Sequence, residues 1–285
     1  MVSDPVSVAL IALLLGLVQG ATEFLPISSS AHLYAIPYLF GISDPLLSSL
    51  AFGAVIHLGT LAAVLVALRS DVMRLTRVAL RSISSGGRHR GEPADERLIL
   101  AIVIGTIPAV ILGVAAGDLL DGAVRTPLVV AAAVTAGALL LWFAESFGSR
   151  ERPLQSVGVI DGIMIGLAQA LALIPGISRS GATISGGLLL GFRREAAARF
   201  GFLLGIPAIA GAGTIKLKQL LESSEDLAAS APLLIIGVVS AFISGLFAIK
   251  LLFRILDGGS TRIFVAYRFA FAAVLVASVV LQGGL

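Results

Sequence analysis

An arginine stands inside an apolar stretch at position 179, in the run Ile-Pro-Gly-Ile-Ser-Arg-Ser-Gly-Ala-Thr-Ile (174–184), with nothing acidic beside it in sequence. A cation at membrane depth is costly and is kept where it lines a polar cavity or meets a partner. Pro175-Gly176 breaks the helix just before it, and Ser178, Ser180 and Thr183 surround it. A guanidinium, three hydroxyls and the free amides of a helix start suit an anion of the phosphate type. A second group lies in Gln19-Gly-Ala-Thr-Glu23-Phe-Leu-Pro26-Ile-Ser28-Ser29-Ser30-Ala-His32. Gln19 and Glu23 are four apart and share one helix face. Pro26 ends that helix, the serines can cap the next, and His32 falls within one turn of Ser28 and Ser29. Brought together, the two groups supply a carboxylate for a divalent ion or water, an imidazole for proton transfer or attack, and an oxyanion clamp. That set suffices for phosphoryl transfer, in which positioning and charge neutralisation supply most of the catalysis.

The elements that must hold these residues are membrane helices. Hydrophobic residues make up 57% of the 285 and charged residues 13%, with a mean hydropathy of +1.02. A soluble domain carries about a quarter charged residues. The expected class is an all-α polytopic membrane protein. The chain has no cysteine, which excludes disulfides, iron–sulfur clusters and thiolate–metal sites. The net charge of +3 does not point to nucleic acid, because the basic residues gather at loop ends. No Lys or Arg precedes Arg69, so no cleaved leader is expected. Neither a Gly-x-x-x-x-Gly-Lys phosphate loop nor a His-Glu-x-x-His zinc motif occurs.

Breaks at Pro, Gly and charge clusters leave six spans of roughly 20 apolar residues, near 46–68, 97–119, 127–147, 195–218, 231–255 and 262–282. Two broken pairs remain, 6–24 with 28–40 and 156–173 with 178–191. Each is expected to be a re-entrant helix-loop-helix hairpin, because irregular backbone at membrane depth survives only when buried in protein or lining a polar cavity. The halves match at an offset of 150: Gly16-Leu17-Val18-Gln19 with Gly166-Leu167-Ala168-Gln169, Ile27-Ser28-Ser29-Ser30 with Ile177-Ser178-Arg179-Ser180, and Phe52 with Phe202. Residues 1–147 and 153–285 therefore read as one hairpin plus three spans each. An odd number of crossings turns the second repeat over, which gives an inverted-topology repeat. The distribution of positive charge agrees. Of the 20 Lys and Arg, all but Arg125, Lys216, Lys218 and Arg179 fall on one side, Arg88, Arg90 and Arg268 among them. Inverted symmetry would bring the two breaks together near the midplane. His57, alone on an apolar span, reads as a core histidine, and His89 as part of a solvated basic loop. Glu145 and Asp161 read as interfacial, and the glycines of 201–213 as helix packing.

The two motifs, Gln19…Glu23-Phe-Leu-Pro-Ile-Ser-Ser-Ser-Ala-His32 and Pro175-Gly-Ile-Ser-Arg-Ser-Gly-Ala-Thr183, resemble those of the undecaprenyl-diphosphate phosphatase (bacitracin-resistance protein) family of bacterial inner membranes. The resemblance covers essentially the whole chain. It implies hydrolysis of the C55 polyprenyl diphosphate to the monophosphate carrier lipid and inorganic phosphate, in recycling of the peptidoglycan carrier. It also implies an active site open to the outer, periplasmic face and stimulation by Mg²⁺ or Ca²⁺. Glu23, Ser29, His32 and Arg179 would then be catalytic, and Ser28, Ser178, Arg179, Ser180 and Thr183 would bind the phosphate. Glu23 and Gln19 would hold the metal; the family pattern allows Gln where its Glu-x-x-x-Glu version has an acid, but Gln is a weaker ligand for a divalent ion. The nucleophile stays open between Ser29, His32 and an activated water. The expected partners are the polyprenyl diphosphate and the bilayer, with no nucleic acid and an oligomeric state the sequence does not give. The competing class is a secondary transporter or flippase for a phosphorylated polyprenyl lipid, because transporters share inverted repeats and broken helices. The acid-phosphatase-like lipid phosphatases need a histidine after their Ser-Arg pair, and none follows Arg179.

Overall fold

Proline and cap chemistry set the helix limits in the computed structural model, which describes residues 4–86, 91–121, 125–223 and 227–282. Arg88, His89 and Arg90 lie outside these ranges. Helix α1 (Pro5–Phe24) starts behind Asp4, whose carboxylate accepts from the Ser7 amide at 3.1 Å. It stops where Pro26 holds Leu25 extended. There follow α2 (Ser29–Phe40), α3 (Leu50–Ala67), α4 (Arg69–Ser84), α5 (Pro93–Asp121) and α6 (Pro127–Phe147). A short turn at 154–156 leads to α7 (Val159–Leu171), α8 (Arg179–Leu189), α9 (Arg194–Ser223), α10 (Leu227–Gly258) and α11 (Arg262–Leu281). The described residues contain no named strand.

Among the described residues seven helices, rather than the six expected, are long and apolar enough to cross a membrane. The addition is α1, whose 20 residues and mean hydropathy of 1.9 match a bilayer core. Length and composition fit the arm of a hairpin as well as a span. The stretch from Arg69 to Arg97, expected as a loop, contains α4. Its Val72 and Leu75 pack on the core while its arginines stay outward, the pattern of a helix lying at an interface. Glu145, expected at the interface, is buried: it pairs with Arg194 and accepts from Thr261 at 2.9 Å. Asp161 is likewise buried and holds Arg152 through two bonds of 2.9 and 2.8 Å.

Small residues bring α1 onto α10 and α7 onto α5. A Cβ on Gly16 would meet the Gly237 carbonyl at 2.4 Å, and one on Gly166 the Gly105 carbonyl at 2.2 Å. Close approach of this kind is how helices associate where lipid removes the hydrophobic drive. Each broken pair thus leans on a long helix from the opposite half of the chain.

The breaks themselves, 25–28 and 172–178, abut. Ser28 and Ser178 share an unusual backbone, φ 75° and 76°, and each precedes a helix. Ser30 Oγ accepts from the Gly176 amide at 3.3 Å, and Ser180 Oγ donates to the Leu25 carbonyl at 3.1 Å. Arg268 closes the junction. Assigned by sequence to the cytoplasmic side, it is fully buried in α11. Its guanidinium donates to the carbonyls of Val134 (3.1 Å), Pro26 (3.3 Å), Gly176 (2.9 Å) and Ile177 (3.0 Å). Gly137 leaves room for it, since a Cβ there would lie 2.1 Å from Arg268 Nη2. Broken helices expose carbonyls that water cannot reach, and a cation satisfies several at once.

Arg268→Met is expected to lower the thermal midpoint in detergent sharply, because each charge-assisted bond lost from a buried carbonyl costs about 1.5–3 kcal/mol. Arg268→Lys should recover only part, since an ammonium lacks the planar fork. Wild-type melting of Arg268→Met would contradict this role.

Candidate functional site

Glu23 occupies the last turn of α1, where α8 begins against it. The residue is 6% exposed and its carboxylate is fully engaged. Oε1 pairs with Arg179 Nη2. Oε2 accepts from Ser29 Oγ at 2.6 Å and from Gln19 Nε2 at 3.0 Å, and His57 Nε2 lies 3.3 Å away. A buried carboxylate is tolerable only with such partners. The Arg179 side chain keeps 24% of its surface, and Gly205 gives it space: a Cβ there would sit 3.7 Å from the guanidinium carbon.

Most of these groups lie on the wall of a cavity of about 560 Å³. Glu23, Ser29, His57, Gln169, Ser178 and Arg179 line it, with Tyr34, Tyr38, Arg125 and Lys216 further along the wall. Ser178 caps α8, accepting from the Gly181 amide at 3.1 Å, so the positive end of that helix opens beside Arg179. The arrangement can receive an anion, take a hydroxyl proton onto a carboxylate, and offer Ser29 Oγ as a nucleophile.

Of the residues expected from sequence, Gln19, Glu23, Ser29, Ser178 and Arg179 come together. The other hydroxyls are spent on the protein: Ser28 on Ser30 at 3.2 Å, Ser180 on the Leu25 carbonyl, and Thr183 on the Arg179 carbonyl at 3.0 Å. His32 does not reach Ser29. Its Nδ1 meets the Ser28 carbonyl and its Nε2 the Tyr267 hydroxyl, both at 2.7 Å, and its ring stacks on Phe271 with centroids 4.1 Å apart. None of these four lines the described cavity wall.

His57 was missed as a site residue. Its Nδ1 lies 2.6 Å from the Gly53 carbonyl, and its Nε2 faces Glu23 Oε2 at 3.3 Å. Nothing in its own span announces this, but a lone ionisable residue in a span carries the same presumption of function as Arg179. Gln169 was also missed, although it belongs to the tetrapeptide that repeats Gln19.

A divalent ion prefers six or more oxygen ligands including carboxylates. Here Glu23 is the one carboxylate on the described cavity wall, and the Arg179 guanidinium already pairs with it. The described residues contain no group of three His, Cys, Asp or Glu able to hold a metal. The donor set does not fit a resident ion.

Residues 12–274 match the family described as "Bacitracin resistance protein BacA". The chain belongs to this family. Among its relatives, the undecaprenyl-diphosphatase of Thermomicrobium roseum is 45% identical over 276 residues, covering 93% of this chain and 96% of that protein. The Moorella thermoacetica undecaprenyl-diphosphatase is 43% identical over 266 residues, 93% and 96% respectively. That of Myxococcus xanthus is 45% identical over 276 residues, 96% of this chain and 89% of that protein. This BacA-family chain is a multi-pass membrane protein, and relatives across its whole length carry a phosphatase name.

If His57 serves Glu23 as a hydrogen-bond donor, His57→Leu should lower phosphate release about tenfold, the worth of one buried bond to a charge. His57→Gln, which restores an N–H at that position, should retain most of it. Equal activities of the two variants would show that the donor is irrelevant.

Proposed function

We propose that this chain hydrolyses undecaprenyl diphosphate to undecaprenyl phosphate and inorganic phosphate, recycling the cell-wall carrier lipid. The relatives' name and the family support the reaction. The observation that carries the chemistry is the Ser29 hydroxyl donating to Glu23 at 2.6 Å, on the carboxylate that also holds Arg179.

A diphosphate entering the cavity meets Arg179, the Ser178 end of α8, and the half-exposed Arg125 and Lys216. Ser29 Oγ attacks the terminal phosphorus and passes its proton to Glu23. The bridging P–O bond breaks and the lipid monophosphate departs with the bridging oxygen. Protonation of Glu23 removes the charge that restrains Arg179, freeing the guanidinium for the charge growing on phosphorus. Water then attacks the phosphoserine, Oγ leaves with the proton from Glu23, and both of the water's protons stay with the released phosphate. A divalent ion, which the family resemblance implies, would supply charge neutralisation to the diphosphate. Transport alone gives no task to the Ser29–Glu23 bond.

The membrane layout belongs to the same reading. α3, α5, α6, α9, α10 and α11 cross the bilayer. The α1–α2 and α7–α8 pairs are re-entrant hairpins from opposite faces, and residues 1–147 and 153–285 are inverted halves. The cavity opens to the outer face of the bacterial inner membrane. The shared backbone of Ser28 and Ser178 and the crossed packing of α1 and α7 support it.

In detergent with a polyprenyl diphosphate, Arg179→Ala should cut turnover roughly 10²-fold or more, and Arg179→Lys should not restore it fully. Near-normal turnover of Arg179→Ala would remove the clamp. Acid quench with substrate labelled at the terminal phosphorus should leave label on the wild-type protein and none on Ser29→Ala. Label on neither would assign the attack to water instead.

A further inference from the structure

Gln169 sits one turn before the second break and is 2% exposed. Neither its Nε2 nor its Oε1 has a hydrogen-bond partner among the described residues, yet its side chain lies on the wall of the cavity that holds Arg179. An unsatisfied buried carboxamide costs about 1–3 kcal/mol for each lost group, so it needs a reason.

The first hairpin supplies one. Gln19, the match of Gln169 at the offset of 150, gives its amide hydrogen to Glu23, four residues on and one turn along the same helix. The residue four beyond Gln169 is Leu173, which lines the same cavity and accepts nothing. The second hairpin therefore keeps the donor and lacks the acid. Packing fixes the donor where it is: Gly162 and Gly166 lie seven and three residues earlier on the same face of α7, pressed against the Ala101 and Gly105 carbonyls. The amide is held away from lipid and water in this packing.

From this juxtaposition we infer that Gln169 is a substrate-binding residue. Its Nε2–H donates to an oxygen of the phosphoryl group held by Arg179, so that the ligand's anion takes on the second hairpin the place the Glu23 carboxylate takes on the first. Oε1 then accepts from a hydroxyl of that phosphate or from a water beside it. The inference rests on the phosphatase reading for the identity of the ligand. The geometry itself calls for a phosphate-type anion.

The test sets stability against function. Gln169→Leu keeps the shape and removes two buried unsatisfied atoms. Its thermal midpoint in detergent should equal or exceed the wild-type value, while phosphate release from farnesyl diphosphate falls about tenfold or more. The stabilisation of the fold by added farnesyl diphosphate should shrink with it. Gln169→Glu, of equal size but anionic, should be worse than Leu in both turnover and ligand stabilisation, because like charges would face each other. A Gln169→Leu protein that melts lower and turns over normally would make the amide structural and overturn the inference. So would a Glu variant that binds as well as the wild type. If the wild type binds farnesyl diphosphate but releases no phosphate, the hydrolase reading fails, and the ratio of stabilisation between wild type and Gln169→Leu still decides the role of Gln169.

Discussion

Backbone that is not helical cannot face lipid, and this protein places two such segments against each other. Their polar groups are answered from within: Ser30 takes an amide of the second break, Ser180 gives to a carbonyl of the first, and Arg268 gathers carbonyls from both. The guanidinium neutralises the negative ends of two helix fragments that would otherwise point at each other across a dry interior. Everything that could do chemistry hangs from this junction. Ser29 and Arg179 are the first residues of the helices that restart there, and Glu23 is in the last turn before it.

Symmetry accounts for the scaffold and departures from it account for the site. The matched serines, with their matched positive φ and matched Oγ pairs at 3.2 Å, build two equivalent turns. Chemistry enters where the halves differ. Glu23 stands where the second half has Leu173, Arg179 where the first has Ser29, and these two exceptions form the buried ion pair. A fully symmetric junction would put two hydroxyls at the restarting helices and no charge between them. One substitution on each side gives an acid facing a cation, with a hydroxyl left over beside the acid.

Much of this was legible in sequence because membrane burial makes polar residues expensive and so conspicuous. Helix existence, the two breaks and the meeting of Glu23 with Arg179 follow from Pro26, Pro175-Gly176 and the repeat. Roles that depend on rotation about a helix axis were not legible. His57 lies on α3, and only the packing of α3 against α1 turns its ring toward Glu23. Arg268 lies seven residues into α11. A count of charges at helix ends assigns it to a water-facing surface, because nothing local reports the Gly137 space it fills. Length and hydropathy do not separate a span from a hairpin arm: α1 has those of a span whatever path it takes.

His32 shows how one helical turn sets the direction of a side chain. It sits four residues after Ser28, where a base for Ser29 would be sought, but one helical turn returns its Nδ1 to the Ser28 carbonyl. The ring then faces α11, between Tyr267 and Phe271. That contact has consequences for the junction, because Arg268 is the residue after Tyr267. A strut from α2 to α11 fixes the rotation of the helix from which the guanidinium reaches the breaks. His32 thus touches both the Ser28 turn from which Ser29 starts α2 and the helix that carries Arg268. The Glu23 carboxylate, 2.6 Å from the Ser29 hydroxyl, is the proton acceptor the geometry offers.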